Sequence, residues 1–155
     1  MTINDFIQNI GAAPFAIKRL ASNDVGKTDA HQVGVYLPKN FVRTFFSGSG
    51  FPETLNPEID SNFVIHSDNI SGQAKIKYYN NGVVTDDGTR NESRITCVAN
   101  TPLQNSSFAG NIVVLVNRNL VVEIWVCHDS NEEQIVERFV DKRVEPAKRC
   151  ITGNC

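Results

Sequence analysis

The stretch "TRNESRIT", Thr89 to Thr96, places Arg90, Asn91, Glu92 and Arg94 within five residues. On a strand, Arg90, Glu92 and Arg94 share one face, because side chains alternate with period two. One chemistry for such a row is a solvent-facing salt-bridge ladder, which is common and worth little. The other is base reading. Arginine can donate two hydrogen bonds to guanine O6 and N7, glutamate can accept from the cytosine N4 amino group, and asparagine can pair with adenine. The glutamate separates the two readings, because a pure phosphate binder avoids negative charge and a base reader spends affinity on choice.

A second polar segment, "KRLASNDVGKTDAHQ", runs from Lys18 to Gln32. It offers Lys18, Arg19, Ser22, Asn23, Lys27, Thr28, His31 and Gln32 as candidate contacts, with Gly26 as a bend. Loops favour such residues anyway. This one is longer than most strand connections, and long loops tend to carry function. Two polar arms on one scaffold suit a major groove approached from both sides.

The elements that must hold these arms are short. "TINDFIQNIG" reads as a helix with Thr2 and Asp5 as its capping box and Gly11 at its end. "PFAIKRL", "QVGVYLP", "IDSNFVIH", "QAKIKYY" and "TRNESRITCV" read as strands, and "KNFVRTFF" as a short helix. "NNGVVTDDG" carries two turn signals. "NIVVLV" and "LVVEIWV" flank Asn117 to Asn119 as an apolar hairpin. Ser130 and Glu133 suggest a capping box for a final helix, with Ile135, Val136, Phe139 and Val140 on its inner face. The fold expected is α+β, mainly β: seven strands in a barrel-like sheet with two short flanking helices.

The 155 residues suit one domain, residues 1–155, with residues 144–155 as a basic linker or tail. Apolar residues make up 41% and the net charge is −2, which argues against a non-specific polyanion binder. No apolar run spans a bilayer, and the first residues lack a signal-peptide pattern, so a cytoplasmic, non-membrane protein is expected. Cys97 and Cys127 end apolar runs and are expected as buried free thiols; Cys150 and Cys155 lie in the tail. No glycine-rich phosphate loop is present. Cys127 and His128 cannot act as a dyad, because adjacent strand residues point to opposite faces. No carboxylate–lysine set of a metal-dependent nuclease is visible. The expectation is therefore no catalytic residues and no metal site in this chain.

The motifs "IKRL", "ND.G", "HQVG", "YYN", "TRNE.RIT" and "PLQ" occur in order from about residue 15 to the final helix. In this the chain resembles the N-terminal effector domain of EcoRII-type restriction endonucleases, a B3-like seven-stranded pseudobarrel. The resemblance implies sequence-specific binding of duplex DNA at a CCWGG-like site (W is A or T) by two major-groove arms. It implies an N-arm in which Lys18, Arg19, Ser22, Asn23, Asp24, His31 and Gln32 match the family's polar positions, while Lys27 and Asp29 stand where the relative has small residues. It implies a C-arm of Tyr79, Asn80, Thr89, Arg90, Asn91, Glu92 and Arg94. It further implies a bacterial, cytoplasmic partner set: double-stranded DNA and a catalytic nuclease domain in the same polypeptide. Magnesium is expected only for that nuclease domain, no cofactor for this one, and a monomer that can straddle the site. The alternatives are an autoinhibitory or protein-interaction module, or a standalone B3-like reader of another site. Gly88 and Ser93 stand where the family has basic residues, which redistributes phosphate contacts.

Overall fold

Strand alternation sorts the chain into two faces around one curled sheet. Its strands are β1 (Phe15–Arg19), β2 (Val35–Leu37), β3 (Glu58–Ile65), β4 (Ile70–Tyr79), β5 (Glu92–Thr96), β6 (Ile112–Arg118), β7 (Val121–Val126) and β8 (Ile151–Gly153). The structure is a computed structural model that describes residues 1–26, 34–46, 51–143 and 151–153. The strand order is β2-β5-β4-β3-β7-β6-β1-β8, antiparallel throughout except for β3 beside β7. The sheet nearly closes: β1 and β2 are not paired, yet the Lys18 amine donates to the Tyr36 carbonyl at 2.9 Å.

Inward-facing residues such as Leu37, Phe63, Ile76, Ile95, Leu115 and Ile124 fill the barrel. A second core lies outside it. There α1 (Ile3–Gln8), the turn after it and α4 (Ser130–Arg143) bury Phe6, Ile10 and Val136 against Ile17, Val114 and Trp125. These two helices therefore cover the outer face of β1, β6 and β7, and β6 is apolar on both faces for that reason. The outer face of β2, β5 and β4 carries the polar residues Tyr36, Glu92, Arg94, Lys77 and Tyr79 instead.

The α1 capping box is present: the Asp5 amide donates to Thr2 Oγ1 at 3.2 Å and the Thr2 amide to Asp5 Oδ2 at 3.0 Å. The predicted box on α4 does not form, and the cap lies one residue earlier. Asp129 accepts from the Glu132 amide at 2.9 Å, while the Glu133 carboxylate is taken by Arg19. The "NNGVVTDDG" turn contains a short helix, α3 (Asn81–Val84), and α2 (Lys39–Arg43) forms where "KNFVRTFF" suggests it. Residues 151–153, in the expected linker or tail, pair with β1 and add an eighth strand.

The two described cysteines differ. Cys127 is buried as expected, and burial, with the nearby Glu132, Glu133 and Asp129 carboxylates, pushes its thiol up to about 12. Cys97 is exposed, contrary to expectation, because the chain leaves β5 there in a left-handed conformation (φ 65°) and turns the side chain out. Alkylation at pH 8 followed by peptide mapping should label Cys97 promptly and leave Cys127 unmodified until the protein unfolds. Equal labelling of both would contradict the burial of Cys127. No described helix is long and apolar enough to cross a membrane.

Candidate nucleic-acid interface

The C-arm is the connection from β4 through α3 to β5. Register aligns Tyr79 with Glu92, and Arg94 with Lys77 on one side and Tyr36 on the other. The Glu92 carboxylate becomes the hub of this face. It accepts from both nitrogens that Arg90 presents, from Arg94 Nε at 3.2 Å and from the Tyr36 hydroxyl. Arg90 stacks over the Tyr79 ring at 3.7 Å and Arg94 over the Tyr36 ring at 4.2 Å. Such stacking suits the planar, weakly hydrated guanidinium.

The positive–negative–positive row is thus an ion triad closed on itself, and its members are not equivalent. Arg90 lies just before β5 and is partly exposed; Glu92 is 11% exposed; Arg94 is fully buried. Three outward readers on one strand were expected. The structure corrects this for Arg94: the Tyr36 ring covers it, and it donates to the Gly34 carbonyl at 3.3 Å and to Glu92. Its role in the DNA-free chain is to hold Glu92 from below. Gly34 must lack a side chain, since a Cβ there would lie 2.2 Å from the Ile95 carbonyl oxygen and its φ is 97°.

Asn91 is exposed but anchored, its Oδ1 accepting from Lys39 Nζ at 3.1 Å and from the Tyr78 hydroxyl at 2.5 Å. Thr89 is exposed. Asn80 was expected among the readers and is instead 1% exposed. It accepts from the Asn56 amide at 2.6 Å and donates to the Thr54 carbonyl at 2.8 Å, so it stitches the 54–56 loop to the arm.

The N-arm is built on a buried carboxylate. Asp24 is 1% exposed, accepts from the Ala21 amide at 2.7 Å and the Tyr36 amide at 2.9 Å, and pairs with Lys18 at 2.7 Å. Gln104 of the "PLQ" motif donates to the Asp24 carbonyl at 2.6 Å. Lys18 and Asp24, expected to face DNA, are therefore the rivet that fixes the arm to the barrel end. Burial explains the correction: Leu20 and Val25, which flank the turn, sit in the barrel core and draw Asp24 inward. Arg19 turns the other way. It donates to the Gly110 carbonyl at 2.9 Å and pairs with Glu133 and Glu137 of α4 at 3.0 and 3.2 Å. Ser22 and Asn23 are exposed. Lys27, Thr28, His31 and Gln32 lie outside the described residues.

Sequence reading missed Tyr36 and Lys39 as parts of this face. A signal was there: Tyr36 sits between Val35 and Leu37, so alternation sends it outward beside whatever strand pairs with β2. The three histidines do not converge. His66 joins Glu123 at 2.8 Å and His128 joins Asp68 at 2.9 Å, while His31 lies outside the described residues. Cys127 and His128 do diverge, one buried and one exposed. Among the described residues, no three histidine, cysteine or carboxylate side chains come together as metal ligands would.

Comparison with known proteins agrees with this geometry. The B3 domain of the UbaLAI restriction endonuclease, solved with its cognate DNA, has the same fold. The TM-score is 0.53 at 15% identity, over 96% of this chain and 94% of that one. The Type II restriction enzyme EcoRII of Escherichia coli is 31% identical over 140 residues, 84% of this chain. The chain spans about a third of that enzyme's length (34%). Residues 9–153 match the family described as restriction endonuclease EcoRII, N-terminal. The pseudobarrel, its two arms and this match over nearly the whole chain agree: the protein belongs to the EcoRII N-terminal family.

Proposed function

We propose that this chain recognises a short site in duplex DNA, CCWGG-like, through the N-arm and C-arm. It would serve as the recognition or effector domain of a Type II restriction endonuclease. Cleavage, with its magnesium, would belong to a nuclease domain of the same polypeptide. This domain would need no cofactor and would act as a monomer.

The Glu92 hub carries the reading. Its carboxylate is already desolvated, oriented and charge-balanced, and two of its partners, Arg90 and Tyr36, reach the surface. A G·C pair can replace those internal bonds in kind. Guanine O6 and N7 accept from Arg90 while the cytosine amino group donates to Glu92. A wrong pair breaks the internal bonds without replacing them, and unpaired groups in a closed interface are costly. The scaffold supports the same reading. Asp24 and Asn80 fix the roots of the two arms, so less ordering is left for binding.

The test is equilibrium binding, without magnesium at near-physiological salt, to a CCWGG duplex and to one with its G·C pairs inverted. A preference on the order of 10³ or more is the scale of specific recognition. Equal weak binding to both would reject the site. Within that assay, Arg90→Ala should cost about 1–3 kcal/mol and relax base choice at one position. Lys27→Ala should weaken all duplexes alike and flatten the salt dependence. If both variants behaved identically, the division into base and phosphate contacts would be wrong.

A further inference from the structure

We propose that Val83 and Val84, on α3 at the tip of the C-arm, read the C5-methyl group of a thymine beside the G·C pairs read by Arg90 and Glu92. The inference rests on the DNA-recognition reading and assigns the central A·T pair to residues that no part of that reading uses.

Both valines point to solvent, 60% and 42% exposed, on a helix that buries nothing. Single exposed apolar residues are ordinary. Two adjacent ones on a recognition arm are less so, and these cannot move independently of Arg90. The Gly82 amide donates to the Arg90 carbonyl and the Arg90 amide to Asn81 Oδ1, each at 2.7 Å. The Thr85 hydroxyl donates to the Asn81 carbonyl at 2.5 Å and accepts from the Gly88 amide at 3.2 Å. A Cβ on Gly88 would lie 2.2 Å from the Asn81 carbonyl oxygen, so the limb closes tightly there. Wherever the Arg90 backbone is carried, the valines arrive at a fixed offset from it.

The neighbouring charges say what the tip does not contact. Asp86 and Asp87 follow after Thr85 and are exposed. Two carboxylates exclude the usual use of an arm tip on DNA, a phosphate contact. An aliphatic tip kept off the phosphates and carried beside a base-reading arginine faces the groove floor. The apolar group there is the thymine methyl, which cytosine lacks. A CCWGG duplex always contains one central thymine, on one strand or the other, because CCAGG and CCTGG are complementary. A reader of one methyl group therefore accepts W and disfavours a central G·C pair.

The test replaces that thymine with deoxyuridine, which deletes only the methyl group. Wild-type chain should bind the deoxyuridine duplex about four-fold more weakly, the worth of burying one methyl-sized group. Val83→Ser with Val84→Ser, at exposed positions, should bind the thymine duplex more weakly by a similar factor. It should no longer distinguish thymine from deoxyuridine, yet retain its preference over the duplex with inverted G·C pairs. Equal wild-type affinity for thymine and deoxyuridine, with that preference intact, would overturn the proposal and leave the recognition reading standing. Loss of all site preference in the wild type would overturn both.

Discussion

Glu92→Ala is expected to lower folding stability by about 3–5 kcal/mol, the cost of removing one partner from a buried ion pair. For a chain of this size that is a drop of about 10 °C in Tm. The reason is Arg94. Its guanidinium has no exposure, and Glu92 offers it a carboxylate across 3.2 Å. Without that carboxylate, Arg94 stays buried beneath the Tyr36 ring with this charge partner removed. Arg90 loses the same partner but is partly exposed, so water takes over there. Glu92→Gln keeps an acceptor oxygen and should cost less. Adding Arg94→Met to Glu92→Ala should recover much of the loss, since a buried pair replaced by apolar volume is often neutral. Denaturant titration of the three variants decides the matter. A loss below about 1 kcal/mol in Glu92→Ala would mean that Arg94 finds solvent easily, and that the hub is a surface ladder after all. In DNA binding, Glu92→Ala should also lose the distinction at cytosine. Measurements below its melting temperature separate that effect from unfolding.

The second large effect is expected at Asp24. Asp24→Ala removes the acceptor of two amides, Ala21 and Tyr36, and the counter-charge of Lys18, all at the barrel end. Each unsatisfied buried donor costs about 1–3 kcal/mol, so a total of about 3–5 kcal/mol is expected, the network not being additive. Asp24→Asn should be nearly as damaging. The Ala21 and Tyr36 amides bind different carboxylate oxygens, so the NH2 group that replaces one of them faces an amide donor, and the charge opposite Lys18 is lost. Urea unfolding measures the loss. Hydrogen exchange at the Tyr36 amide should report local loosening even where global stability persists. An Asp24→Ala chain of unchanged stability that had lost only DNA affinity would show Asp24 to be a contact residue, not a rivet.

Much of the chain was legible before folding. Alternation and turn residues placed every strand except β8, and the hairpin of β6 and β7 stands where its two apolar runs require it. The capping box on α1 is written in Thr2 and Asp5. The cap of α4 was misread by one residue, because Ser130 and Glu133 match the motif equally well until Arg19 claims Glu133. The polar arms were visible by composition, as was their attachment to strand ends.

What the sequence could not decide was which polar side chains would be buried. Local spacing puts Arg90, Glu92 and Arg94 on one face, and that is all it says. Only the pairing of β2 with β5 brings Tyr36 over Arg94, and that pairing spans residues far apart in the chain. Likewise Asp24 is an ordinary loop residue by type. Leu20 and Val25 entering the core turn it inward onto Lys18 and the Tyr36 amide. The backbone's period and turn chemistry are local properties, so the sequence determined the elements and the candidate arms by itself. Desolvation is a property of neighbours supplied by distant segments, so only the tertiary structure decided which charges hold the arms and which stay exposed.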